Sequence, residues 1–182
     1  MGWNLSMLVI EARALAERLG ERALEPSTDV RRHRELVFGR VRPGRIGVAT
    51  RGETSYVITG ASLLGVQVGE GSPQAWADFA AAGGGRPRYF LLSGAGGEHG
   101  VALASSRGEQ TAGFCSGAHG EVVHFFGDAE PFGVALPARA DIAADPEGAV
   151  LQMSDALGVP LDDVLDNDAF HLHDAPGFCG WV

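Results

Sequence analysis

The sequence predicts an α+β protein: an antiparallel β-meander sheet with helices packed on one face, and two short carboxy-terminal helices that seal an edge of the sheet. Three observations predict this fold class. Short apolar segments alternate with glycine-rich turns between Tyr89 and Phe126, and such short connections force neighbouring strands to be antiparallel. Segments of helical period lie on either side of them. Residues of the meander alternate as in a sheet with one covered side.

The amino-terminal half predicts five strands and two helices. The first helix spans residues 11–20, with Leu15 and Leu19 on one face. The second begins at Pro73 and stops at a run of glycines, which are typical start and stop signals. Residues 51–54 form a hairpin turn between two of the strands. The predicted strands are residues 3–10, 35–41, 46–50, 55–59 and 63–68.

The carboxy-terminal half predicts the meander and then two helices. Asp145, Pro146 and Glu147 start the first helix, because aspartate caps the free amides, proline suits the first turn and glutamate complements the dipole. That helix ends at Gly158, and Pro160 starts the second, whose aspartates lie on the solvent side. The predicted meander strands are residues 89–93, 101–105, 110–115 and 121–126.

Length and composition predict one compact domain covering residues 1–182, because 182 residues with 45% hydrophobic side chains can bury one sizeable core. The apolar run at residues 7–10 is too short to span a bilayer, and no basic residue precedes it as in a signal peptide. We therefore expect a cytoplasmic protein without membrane association. Cys115 and Cys179 are expected to be thiols, and no motif predicts a cofactor.

Charge is divided sharply along the chain. Lysine is absent, and the part through Arg107 has thirteen arginines and ten acids, 13 − 10 = +3. The part from Gly108 onward has one arginine and thirteen acids, 1 − 13 = −12, which gives the total of −9. This asymmetry predicts recognition of a cationic partner, or docking of the two halves on each other. The net negative charge argues against nucleic-acid binding.

Four segments carry a resemblance to known proteins: residues 7–10, 120–126, 145–150 and 157–161. With the order strand–helix, strands, helix, meander and two acidic helices, the chain resembles small actinobacterial proteins of unknown function. More loosely, its element order and acidity are similar to those of SUKH-type immunity proteins, which bind toxin domains. The resemblance implies an α+β fold and a binding function. It assigns no functional residue, because these segments are ordinary helix and strand signals.

The leading functional hypothesis is a non-enzymatic cytoplasmic binding protein, of the immunity or accessory type, whose acidic face meets a basic protein partner. No complete catalytic set is present in the sequence, and the spacing of the acids does not follow a calcium-binding EF-hand loop. The residues predicted to bind the partner are Asp162, Asp163, Asp166 and Asp168.

The alternative hypothesis is a small biosynthetic or hydrolytic enzyme with a pocket inside the sheet. A deep, closed pocket containing two or more of the candidate lining residues favours the enzyme, whereas a flat acidic face favours binding. Cys115 and His124 lie on neighbouring predicted strands and could form a nucleophile pair, although a buried, apolar cysteine is the favoured interpretation. The candidate lining residues are Tyr56, Trp76, Cys115 and His124.

Other patterns are weaker. His171 and His173 alternate on an extended segment and could meet one metal near Asp174 and Cys179, but two histidines fall short of a ligand set, so no metal site is predicted. The basic run at residues 31–34 lacks the interleaved aromatics of single-strand nucleic-acid binders. A solvated loop or a partner for the acidic tail is favoured. The glycine runs lack a Walker lysine and are interpreted as turns.

The tail over residues 168–182 carries Phe170, Phe178 and Trp181, too much aromatic surface for a free arm. We expect it to pack on the domain or between the subunits of a homo-oligomer, with Trp181 contributing about 2–3 kcal/mol. Deletion of the residues after Asp174 should therefore lower the melting temperature or dissociate an oligomer, with or without zinc. Unchanged melting, together with stabilisation of the full-length chain by zinc alone, would contradict this.

Overall fold

The computed structural model describes residues 4–20, 27–32, 45–59, 73–83, 85–93 and 97–175, and within them nine strands form one sheet. The strands are β1 Asn4–Glu11, β2 Val30–Arg32, β3 Arg45–Arg51, β4 Thr54–Thr59, β5 Arg88–Ser93, β6 Glu98–Ala104, β7 Thr111–Ser116, β8 Val122–Gly127 and β9 Ala169–Asp174. The helices are α1 Ala12–Leu19, α2 Pro73–Gly83, α3 Arg139–Ala144, α4 Pro146–Ala156 and α5 Leu161–Asn167, with a 3-10 turn at Glu130–Phe132.

The sheet is antiparallel at every pairing, in the order β2-β9-β3-β4-β1-β5-β6-β7-β8. The predicted α+β class, the β3–β4 hairpin and the β5–β8 meander are therefore confirmed. The predicted strands at residues 35–41 and 63–68 lie outside the described residues. None of the described helices has the length and apolarity needed to cross a membrane.

Two hydrophobic cores lie on opposite faces of the sheet, and β1 contributes to both. Met7 and Val9 belong to the core shared with α3–α5, whereas Leu8 and Ile10 belong to the core shared with α1 and α2. The helices thus cover both faces, not the single face predicted. The physical reason is the continuous apolar run in β1, which is the pattern of a strand buried on both sides rather than on one.

Of the two carboxy-terminal helices predicted to seal an edge, only the first differs in position. α4 packs against β5 and β6, in the interior of the sheet, whereas α5 contacts the edge strand β2. Its start is as predicted: the Asp145 side chain accepts a hydrogen bond from the Gly148 backbone N–H at 2.9 Å. On α5, Leu161, Val164 and Leu165 face the core as expected.

The sequence did not predict two of the described strands, β2 and β9. Arg31 and Arg32 of the basic run therefore lie in a strand rather than in a solvated loop, and that strand pairs with the tail. β9 lies between β2 and β3, with Phe170 opposite Arg31 and Leu172 opposite Gly47. Phe170 is fully buried in the core beneath α3–α5, so the first part of the tail packs on the domain as expected. Residues 176–182, which include the predicted anchor Trp181, lie outside the described residues.

The insertion of β9 predicts that Phe170→Ala destabilises the whole domain. Truncation of a fully buried phenylalanine removes apolar contacts and leaves a cavity, which costs about 3–5 kcal/mol. Val30→Ala on the neighbouring edge strand is the control; its side chain is 42% exposed, so its effect should stay within about 0.5 kcal/mol. Urea denaturation of both variants measures the difference. Similar free energies of unfolding would argue that β9 is not integral to the sheet.

Candidate functional site

The acidic helix layer, defined as α3–α5 with their connections (residues 139–168), is the most charged part of the described surface. It contains eight acids and one arginine, 1 − 8 = −7. Periodicity explains the arrangement, because apolar residues of each helix face the sheet and the acids are left outside. The buried apolar residues of the three helices are Ile142, Ala149, Val150, Met153, Leu161, Val164 and Leu165.

The four aspartates predicted to bind a partner divide into two pairs. Asp162 and Asp166 are exposed and form no ion pair with any residue that the structure describes. Asp163 and Asp168 instead bind Arg51, the last residue of β3. Two of the predicted residues therefore hold the layer to the sheet, and two face solvent.

Arg51 makes a forked interaction with this layer. Its Nε and Nη2 donate to the two carboxylate oxygens of Asp168 at 2.7 and 2.8 Å. Its Nη1 donates to the Asp163 carboxylate, and its Nη2 also donates to the Asp163 carbonyl oxygen at 3.3 Å. Such two-point recognition of a carboxylate fixes orientation as well as adding energy. Sequence reasoning missed Arg51, whose only local signal is its place before the hairpin turn.

The hydrogen bonds of the Arg51 cluster shift the pKa values of Arg51 and Asp163. Hydrogen bonds from Arg51, and secondarily from Asn167, hold the pKa of Asp163 below its usual range. Hydrogen bonds to Asp168 and Asp163 raise the pKa of Arg51. Burial raises the pKa of the Tyr56 phenol, which lies in the field of Arg51 and Arg88. The shifts of Arg51 and Asp163 favour their charged forms at neutral pH. Their hydrogen bonds hold α5 to β3, and we call this cluster the Arg51 clamp.

Further contacts join the arginine-rich part of the chain to the acidic part. Arg45 lies 3.2 Å from Asp174, besides pairing with Asp29 of its own part of the chain, and Arg88 Nη1 donates to the Leu157 carbonyl oxygen at 3.1 Å. The predicted docking of the two halves is thus present at these points. The basic run that begins at Arg31 also lies beside the tail, because β2 pairs with β9; residues 33 and 34 lie outside the described residues.

An open cleft of about 680 Å³ borders the layer next to β8. We call it the acidic cleft, because Asp128 and Glu130 are its charged lining residues, beside a mainly apolar wall. The Arg139 guanidinium lies 4.8 Å from the centroid of the Phe125 ring in that wall, a cation–π distance. The lining residues are Phe125, Gly127, Asp128, Ala129, Glu130, Gly133, Val134, Ala135 and Leu136.

The candidate nucleophile pair is in register but is not activated. Cys115 lies opposite His124 on neighbouring strands, as the meander predicted. Burial, with a smaller contribution from Glu98, raises the pKa of the Cys115 thiol to about 11, so the thiol stays protonated at neutral pH. Since the thiolate is the nucleophile, this environment is that of a structural cysteine.

The four candidate pocket residues are not brought together. Tyr56 lies in the core beneath α3–α5, whereas Trp76 lies in the core on the opposite face of the sheet. Neither the acidic cleft nor a second cleft, near Arg86 and Arg88, is lined by Tyr56, Trp76, Cys115 or His124. Neither of these two clefts is therefore the deep pocket, lined by two or more of the candidate residues, that would favour an enzyme.

The histidine pair of the tail is built into β9. His171 and His173 alternate with Phe170 and Leu172, whose side chains pack in the core beneath α3–α5. The Ser27 backbone N–H donates to His171 Nδ1 at 3.1 Å. Within the described part of the chain, no three histidine, cysteine or acidic side chains lie close enough to hold a metal ion. Of the glycine runs, the described Gly85 and Gly97 have positive φ angles of 72° and 68°, as in turns.

Comparison of the chain with known protein families, with curated proteins and with solved structures finds no match. The resemblance to small actinobacterial proteins and to SUKH-type immunity proteins therefore stays a prediction.

The clamp predicts different pH dependence for two adjacent aspartates. The pKa of Asp163 is lowered in the folded state. The stability that its ionised carboxylate contributes to the fold is therefore complete above the unfolded pKa of about 4 and is lost as pH falls through the folded pKa. Asp163→Asn should therefore lower the melting temperature near neutral pH, and the deficit relative to wild type should shrink below about pH 4.

Asp162→Asn is the matched control, because both residues lie in the first turn of α5 and both substitutions remove one charge. Melting temperatures measured from about pH 7 to about pH 3 separate the two. A deficit for Asp162→Asn as large as that for Asp163→Asn would show that general helix charge, rather than the Arg51 clamp, is responsible.

Proposed function

We propose that the protein is a non-enzymatic binding protein whose acidic helix layer receives a basic protein partner, in an immunity-type or accessory role in the cytoplasm. One observation carries the proposal: six carboxylates of the layer form no ion pair with any described residue, whereas Arg51 beneath it is paired with the other two, Asp163 and Asp168. These carboxylates belong to Asp141, Asp145, Glu147, Asp155, Asp162 and Asp166.

The arrangement suits electrostatic steering. Carboxylates of one sign on the outer side of packed helices create a field that speeds encounter with a basic partner and disfavours acidic ones. The Arg51 clamp supports this use, because it fixes α5 to the sheet without neutralising the outer acids. The layer is thereby held in one geometry before the partner arrives, which lowers the entropy lost on binding.

The acidic cleft adds a place for an arginine or lysine side chain of the partner. Asp128 and Glu130 supply negative charge, and the wall formed by Phe125, Val134 and Leu136 suits an aliphatic stem or a guanidinium plane. The stacking of Arg139 on Phe125 is an intramolecular example of the same contact.

The proposal predicts that capture of a basic partner depends on the layer rather than on net charge. Three immobilised proteins are compared in extracts of the native host at low and moderate salt: wild type, the layer variant Asp155→Asn/Asp162→Asn/Asp166→Asn, and a control. The control, Glu11→Gln/Glu53→Gln/Asp78→Asn, removes the same three charges from exposed positions outside the layer.

At low salt, wild type and control should retain a basic protein that the layer variant does not retain. At moderate salt this retention should weaken, since exposed charge pairs are screened by salt. Mass spectrometry then identifies the retained protein, and purified components confirm the direct contact. Retention of no basic protein at low salt, or equal retention by the layer variant, would overturn the proposal.

A further inference from the structure

We propose a second binding site, separate from the outer carboxylates of the acidic helix layer: a cleft that binds the carboxylate or phosphate of a small organic anion. The arginine cleft, as we call it, has a volume of about 240 Å³ and lies across the 3-10 turn from the acidic cleft. Its lining residues are Arg86, Arg88, Leu103, Ala104, Ser105, Ser106, Gln110, Pro131, Phe132 and Leu157.

The charge of the arginine cleft is opposite to that of its surroundings. Arg86 and Arg88 line it, and none of its described lining residues is acidic. Neither arginine forms an ion pair with a described carboxylate. Four other described arginines do so in a chain with net charge −9: Arg13, Arg31, Arg45 and Arg51.

The two guanidinium groups are positioned by the sheet. Arg88 is the first residue of β5 and Arg86 lies two residues before it, a spacing that places alternate side chains on one face of an extended chain. Arg88 Nη1 donates to the Leu157 carbonyl oxygen, which fixes the group and leaves other N–H donors of the same fork for a ligand. A planar fork of this kind recognises carboxylate and phosphate oxygens.

A polar turn forms a further part of the wall of the arginine cleft. The turn after β6 is closed by hydrogen bonds between Ser105 and Gln110 in both directions. Since the Ser105 hydroxyl oxygen accepts from the Gln110 N–H, its own proton is available to a ligand. Gly108 seats the turn on α2: its φ is +69°, and a Cβ there would collide with the Ala77 carbonyl oxygen.

The ligand class follows from the remaining lining. Leu103, Phe132 and Leu157 give the cleft apolar surface beside the two guanidinium groups. An inorganic ion would leave that surface unused, whereas a small organic anion places its oxygens on the arginines and its apolar body against the ring of Phe132. The volume suits a ligand built on a single ring or a short chain.

Three probes distinguish the chemistry: benzoate for carboxylates, phenyl phosphate for phosphates and benzyl alcohol as the uncharged analogue. Binding is measured by ¹H–¹⁵N NMR titration of the full chain at constant ionic strength. At least one oxyanion should bind, with shifts at the backbone amides of residues 86, 88 and 105–110, and benzyl alcohol should not. Arg86→Gln and Arg88→Gln should each weaken binding about tenfold or more.

Arg107→Gln is the matched control, because it removes the same charge from the exposed turn beside the cleft without lining it. It should change the affinity less than about twofold, since an exposed charge outside the site is screened. Arg86→Gln keeps the test decisive if loss of the Arg88–Leu157 contact unfolds the other variant. Failure of both oxyanions to bind, equal binding of benzyl alcohol, or equal weakening by Arg107→Gln would overturn the proposal.

Discussion

Neither face of the sheet can be left in water, and the arrangement of the chain follows from that constraint. β1 and β5 are apolar on both sides, with Met7 and Phe90 in one core and Leu8 and Tyr89 in the other. Exposed apolar surface costs about 25 cal/mol per Å². α1 and α2 cover one face, so α3–α5 must cover the other. Because α3–α5 and their connections carry eight of the thirteen acids after Gly108, packing decides where this negative surface lies.

Local signals in the sequence were sufficient for most of the elements. The Asp145 cap, the turn at Gly52 and the short turns of the meander each depend on neighbouring residues, and the structure has the corresponding helix, hairpin and strands. The exposure of Asp162 and Asp166 also follows from helical period alone. The prediction of a single covered face was wrong. It relied on the alternation in the meander strands, whereas the continuous apolar run of β1 indicates a strand that is buried on both faces.

Features that depend on distant residues could not be predicted in the same way. Arg51 meets Asp163 and Asp168 across 112 and 117 residues, and nothing in its own neighbourhood names those partners. The same holds for the two clefts, whose walls come from separate turns and strands. Both clefts are lined by residues of the 3-10 turn at residues 130–132. The acids of one cleft and the arginines of the other therefore lie near the same short turn without neutralising each other.

The place of β9 has a consequence for biosynthesis. β9 is the last described strand along the chain, yet it lies between β2 and β3, so β2 has no other described neighbour in the sheet. A growing chain can pair β1, β4 and the meander in order. The edge strand β2, which carries Arg31 and Arg32, can pair only with β9, so it stays unpaired until residue 174 has left the ribosome. Strand pairings between residues this far apart in sequence form slowly, because the entropy of closing the intervening chain is lost before the contact stabilises the pair. During that interval the edge of β3 is open to other chains, which makes it the point where a nascent molecule is most exposed to misassembly.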